Sequence, residues 1–174
     1  MASYYYLVSS LPMLKSDSPM PFSYEKYVEL CSGNVSEGKL ELIRNLTVSS
    51  TEGPLIREWS EFYGLLSKEM SYQRNLRLGK SAESPVDHEE VVTRTVQAAI
   101  NCDDPLEAEQ MLLDLEFKKL DELIGLHSFD DYSLFGYALK LKLLARLNIF
   151  DRTKGQAEFD RLFNGLQTQI LGAK

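Results

Sequence analysis

The stretch that most constrains this chain is residues 132–150, YSLFGYALKLKLLARLNIF. On a helical wheel at about 100° per residue, its apolar side chains point in every direction. Leu134, Ala138, Leu141 and Ala145 fill one side. Tyr137, Leu144 and Leu147 fill a second, and Phe135, Leu139, Leu143 and Phe150 a third. A helix that is apolar all round must be covered by neighbours on several faces. The stretch therefore reads as the central strut of an all-α multi-helix bundle, with the other helices as its cover. The residues themselves define a soluble helical domain and show no chemistry.

The cover can be read in chain order. Residues 3–11 fit either a strand, because three tyrosines precede Leu-Val, or the first turns of a buried helix. Ser23 is placed to cap a helix over 23–32, with Phe22 stapled to Tyr27 and Gly33 closing the end. Ser36 opens a second short helix through Leu40, Ile43 and Leu46. After a loop at 47–53, Pro54 suits the first turn of a long helix over 54–81. Its stripe is Leu55, Trp59, Phe62, Leu66, Met70 and Leu76, and Ser84-Pro85 terminates it. Asp87 and Glu90 form a box-like start for 89–101, whose apolar face is Val91, Val92, Val96, Ala99 and Ile100. Asp104-Pro105-Leu106-Glu107 starts the next helix, through 124, with Met111, Leu112, Leu115, Leu120, Leu123 and Ile124 inside and Gly125 at its end. Asp130 can cap the central helix. A last amphipathic helix is expected over 153–171, carrying Phe159, Leu162, Phe163, Leu166 and Ile170. Helical segments sum to roughly two thirds of the chain, about twice the usual share. One helical domain spanning 1–174 is expected, with its weakest joint at 81–87, where an N-terminal unit can hinge on the C-terminal helices.

Several classes of function are disfavoured. A net charge of −7 and a pI near 4.9 do not suit a nucleic-acid surface. No apolar run approaches the ~18 residues of a membrane span, and the start, MASYYYLVSSLPM, lacks the cation of a signal peptide. No Walker loop is present, so nucleotide binding is not expected. Cys31 and Cys102 read as reduced thiols, with a disulfide between them the open alternative. His88 and His127 lack a second histidine at metal spacing, so no metal, cofactor or small-molecule substrate is expected. Asp87-His88-Glu89-Glu90 could imitate an acid–base pair, but capping explains it better. Asp114, Glu116, Asp121 and Glu122 interleave with Lys118 and Lys119 as a solvated, salt-bridged face. No catalytic residue is assigned, and the chain is not expected to be an enzyme.

Two groups remain as candidate partner-binding surfaces. Arg74, Arg77 and Lys80 follow one another at i, i+3 along one flank of the long helix, with Asn75 between them. The bland reading is that cations complement the C-terminal helix dipole. Lys140, Lys142 and Arg146 lie on the central helix, with Lys142 and Arg146 at i, i+4 on one side. Their bland reading is that their stems pack and their heads reach water or carboxylates.

The segments SYYYLVSSLPML, PFSYEKYVELC and YQRNLRLGK together resemble an uncharacterised bacterial family whose genes lie among those of V-type ATP synthases. That family is similar to a shortened form of the V-type socket protein, the d subunit of eukaryotic enzymes, which sits between the central stalk and the membrane rotor ring. The likeness rests on Tyr4-Tyr5-Tyr6, on Arg74-Asn75-Leu76-Arg77 at the end of a long helix, and on the all-helical remainder. Ser71, Tyr72 and Gln73 stand where the socket protein carries an acidic pair. The resemblance implies a non-catalytic subunit, or an accessory or assembly protein, that contacts stalk or rotor subunits. It implies a cytoplasmic location, peripheral at the inner face of the membrane through the complex. A free-standing helical adaptor that binds a peptide or partner helix is the competing expectation.

Overall fold

The computed structural model describes residues 4–85, 89–147 and 161–163. Among the described residues there are seven helices and no strand: α1 (Tyr5–Ser10), α2 (Tyr24–Cys31), α3 (Glu37–Arg44), α4 (Ile56–Arg77), α5 (Glu90–Asn101), α6 (Pro105–Ile124) and α7 (Asp131–Leu147). Residues 161–163 are also helical. The chain is an all-α bundle. The rest of the helix expected over 153–171, the box residue Asp87 and the last residues expected in the central helix lie outside the described residues.

The central helix is α7. Leu134, Phe135, Ala138, Leu139, Leu141, Leu143 and Leu144 are all buried. Its neighbours cover it from several elements. From α2, the Tyr27 hydroxyl donates to the Leu134 carbonyl at 2.8 Å, and its ring stacks on Tyr137 at 5.2 Å. The loop before α2 contributes Phe22, stacked on Tyr137, and the Pro12 carbonyl, which accepts from the Tyr137 hydroxyl at 3.0 Å. Burial pushes the Tyr137 phenol up to about 12. At Gly136 the end of α6 comes closest. An added Cβ there would lie 2.5 Å from Ile124 Cδ1 and 2.7 Å from its Cγ1, with Leu55 behind at 3.7 Å.

The ambiguous N-terminal stretch is a helix. The Tyr4 amide donates to the Phe129 carbonyl at 2.8 Å, and its hydroxyl donates to Asp131 at 3.0 Å. Lys39 Nζ reaches both oxygens of Asp131 at 2.7 Å, so that carboxylate holds the Lys39 pKa above the ordinary lysine range. Tyr5 packs its ring on Phe129. This clasp fixes α1 and α3 to the first turn of α7. Satisfying the tyrosine's backbone and hydroxyl together favours one helical turn over a strand with no partner.

Several helix ends follow the local signals. The Ser23 side chain accepts from the Lys26 amide, Asp104 accepts from the Leu106 amide at 2.8 Å, and Asp130 accepts from Tyr132 and Ser133. Gly33 and Gly125 take positive φ just past α2 and α6. Others differ. Ser36 holds the N-cap position without a side-chain bond. Pro54 lies outside α4, because Leu55 adopts φ 64° and the helix begins at Ile56. That left-handed turn costs about 1–2 kcal/mol for a non-glycine residue, and it places Leu55 in the core. In α5, Val91 points outward and is 56% exposed, leaving Val92, Val96 and Ala99 as the buried face.

Helices on either side of 81–87 share one hydrophobic core, and α4 packs along α5 while α6 packs along both α5 and α7. Truncating α7 should be costly: Leu141→Ala or Leu144→Ala is expected to lose about 2–5 kcal/mol in urea unfolding. Two helical glycines should respond with opposite signs. Gly64 faces open space, so Gly64→Ala should gain up to about 1 kcal/mol. Gly136→Ala must displace Ile124 and should lose about 1–3 kcal/mol despite the better helix former.

Candidate functional site

The long helix stops earlier than its apolar period suggests. Gly79 takes φ 67°, its amide donates to the Leu76 carbonyl at 3.0 Å, and the Lys80 amide donates to the Asn75 carbonyl at 2.9 Å. These two bonds are a Schellman termination, which needs a residue free to enter the left-handed region. Lys80 therefore lies beyond the helix end and does not extend the flank of Arg74 and Arg77. Leu76, expected inside, is exposed, and the inward positions one and two turns earlier are polar. Glu69 and Gln73 are buried and hydrogen-bonded to each other at 2.8 Å.

Arg77 and Arg74 have different surroundings. The Arg77 guanidinium donates to the Ile100 carbonyl, one of the last carbonyls of α5, which lack helical partners. A cation there satisfies an orphan acceptor and complements the α5 dipole. Arg74 is exposed, and its guanidinium makes no hydrogen bond or ion pair among the described residues.

Both arginines stand at the rim of an open groove of about 460 Å³ between the end of α4, the end of α5 and the start of α6. Its floor is Met70, Val96, Ala99, Ile100, Ala108 and Leu112. The groove exists because α4 and α6 each pack along α5 and touch one another sparingly. Leu78, 68% exposed, also lines it. Toward α7 it adjoins a smaller pocket of about 280 Å³, which shares Met70, Arg74, Glu109 and Leu112 and adds Glu116 and Arg146.

Arg146 is turned inward. Its guanidinium meets Glu116 at 3.1 and 2.5 Å and also binds Glu109. Glu116 is only 1% exposed, so it belongs to the interior and not to a solvated face. A two-pronged guanidinium–carboxylate pair supplies the geometry that a desolvated ion pair needs. Burial pushes the Glu116 carboxyl above its ordinary range while Arg146 opposes that shift. Burial works against the Arg146 charge too, but the two carboxylates outweigh it and hold the guanidinium firmly protonated. Glu109 and Glu116 are two turns apart on α6, and that i, i+7 spacing is the one sequence signal for a cation on the facing helix. Asp121, from the same expected face, is exposed as expected and receives Lys140 of α7 at 2.5 Å.

Lys142 does not join Arg146 in one seam. Its ammonium lies 3.6 Å from the centroid of the Tyr24 ring, and burial lowers its pKa. Asn75 is half-buried and serves through its carbonyl. His127 binds Asp130 and stacks on Tyr132 at 4.4 Å, while His88 lies outside the described residues. Cys31 is buried, and both Cys31 and Cys102 are free thiols. Among the described residues no cluster of His, Cys, Asp or Glu is placed to hold a metal, and no helix is long and apolar enough to cross a membrane. No family model matches the sequence, and no curated protein or solved structure is significantly similar to it.

The Glu116 shift has a defined sign. A carboxyl with a raised folded-state pKa contributes stability that is fully present below its unfolded value and is lost as pH rises through the folded one. Unfolding free energies measured from pH 4 to pH 8 should therefore show Glu116→Gln losing less stability with rising pH than the wild type. Parallel curves would remove Glu116 as the titrating group.

Proposed function

We propose that this chain is a non-catalytic protein that works through protein–protein contacts, as a subunit or an accessory or assembly protein of a bacterial V-type ATP synthase. The observation that carries the reading is the Arg74-Asn75-Leu76-Arg77 segment. It bears the resemblance to the V-type socket protein, and it ends the long helix on an exposed, positively charged rim in a chain of net charge −7. A like-charged region elsewhere on an acidic protein would repel an acidic partner, whereas this rim can orient one and raise its on-rate. Stalk or rotor subunits are the partners in this reading, which puts the chain at the cytoplasmic face of the membrane through the complex.

A free-standing helical adaptor is the second reading, and the apolar groove beside Arg74 favours it. The two readings separate in a membrane experiment. Under the first, the protein sediments with washed membranes and is released together with the ATPase head and stalk. Under the second, it stays in the supernatant.

Arg74 is the informative position because Arg77 also caps α5. Arg74→Glu should leave the thermal midpoint within a few degrees, since an exposed charge contributes about 1 kcal/mol or less, and should reduce co-purification with the ATPase. Full retention of a normally folded Arg74→Glu protein would remove this rim from the contact.

A further inference from the structure

We propose that the groove between α4, α5 and α6 is a receptor for one amphipathic helix of a partner protein, with an apolar stripe on its floor and a carboxylate flank against Arg74. The inference deepens the reading that this chain acts through protein contacts, and rests on it.

The shape points to a helix. The walls are three helices, and the floor is an apolar strip of Met70, Val96, Ala99, Ile100, Ala108 and Leu112. Alanines at two of these positions leave room for incoming side chains. A helix seats its i, i+3, i+4 and i+7 residues in such a trough. A strand would gain nothing here, because the described residues offer no sheet edge to extend. The open form also suits a helix better than a small molecule, which needs most of its surface enclosed.

The charge selects the flank. Of the ionised groups on the groove's edges, Glu109 is held by Arg146 and Arg77 is held by the Ile100 carbonyl. Arg74 alone among these has no partner within the described residues. An incoming Glu or Asp can take its guanidinium in the two-pronged geometry that favours arginine. A basic helix would meet Arg74 and Arg77 with like charge. Leu78, an exposed lining residue, supplies a further apolar contact.

The test uses the full-length protein and two synthetic fluorescent helices of about 16 residues. Both carry leucines at i, i+3, i+4 and i+7. One is flanked by glutamates and the other by lysines. Anisotropy titration should show saturable binding of the acidic helix, and the basic helix should bind at least about tenfold more weakly. Arg74→Glu should reverse that preference, and Leu78→Glu, at an exposed position, should weaken both helices. Bound acidic helix should also slow alkylation of Cys102, which lines the groove. Binding without charge preference, an unprotected Cys102, or no binding would each overturn the proposal. So would a full-length Leu162→Glu, Phe163→Glu variant that binds the acidic helix about tenfold more tightly, since the groove would then belong to the chain's own C-terminal segment. No ATPase component enters this titration, so its failure leaves the co-purification result to stand or fall separately.

Discussion

A helix buried on every side leaves its cations nowhere to go, and that constraint organises this protein. Lys140, Lys142 and Arg146 all lie on α7, between leucines that the core requires. Each has a different solution. Lys140 reaches Asp121 at the end of α6. Lys142 lies over the Tyr24 ring of α2, where the face of an aromatic ring can replace part of the lost water. Arg146 is enclosed by Glu109 and Glu116. An isolated charge in such a place would cost several kcal/mol. The position of α6 against α7 is therefore fixed by three carboxylates as well as by apolar packing. Ion pairs of this kind add little net stability over a well-packed apolar core, but they penalise any other register.

The same constraint explains the glycine and the tyrosines around α7. Gly136 removes the side chain where Ile124 of α6 approaches, and Leu55 approaches from the α4 side. Tyr27 buries its ring and Tyr137 half-buries its own, and each places a hydroxyl on a backbone carbonyl. Buried phenols need such a partner, and both hydroxyls find one by joining α7 to a segment far away in the chain. The N-terminal clasp of Tyr4, Lys39 and Asp131 does the same at the first turn. The tyrosine-rich start is thus divided: Tyr4 is structural, Tyr5 lies on Phe129, and Tyr6 is exposed.

How legible each feature is in the sequence depends on how local its causes are. The Asp104-Pro105 start, the Ser23 cap and the all-apolar strut are decided by residues within one or two turns, and the helices stand as expected there. The end of α4 falls short of the expected one because Ser84-Pro85 is a strong stop signal, yet Gly79 is free to turn left-handed first. Pro54 suits a first turn in isolation, but burying Leu55 requires a left-handed residue between it and the helix. Glu116 is legible only as a charge among charges. Its burial depends on Arg146, thirty residues later on another helix, and no local pattern contains that pairing. Glu69 and Gln73 are the same case within one helix, since polar residues in the last two turns of a helix look solvent-facing until a neighbour covers them.

Pairing also separates structural from available charge, which position along a helix does not. Arg74, Arg77 and Arg146 are all arginines near the C-terminal end of their helices, where a favourable dipole is explanation enough for each. Their partners differ. Arg146 has two carboxylates, and removing it would leave a buried anion. Arg77 holds a carbonyl at the end of α5, so its loss would free a helix terminus. The Arg74 guanidinium satisfies no group among the described residues, although it stands between the other two along one groove. A guanidinium held at an apolar rim with its donors uncommitted gives up little protein–protein bonding when a new carboxylate arrives, so the gain on binding is not offset by a broken internal pair. That asymmetry makes Arg74, among the charged groups of this groove, the one suited to meet a partner.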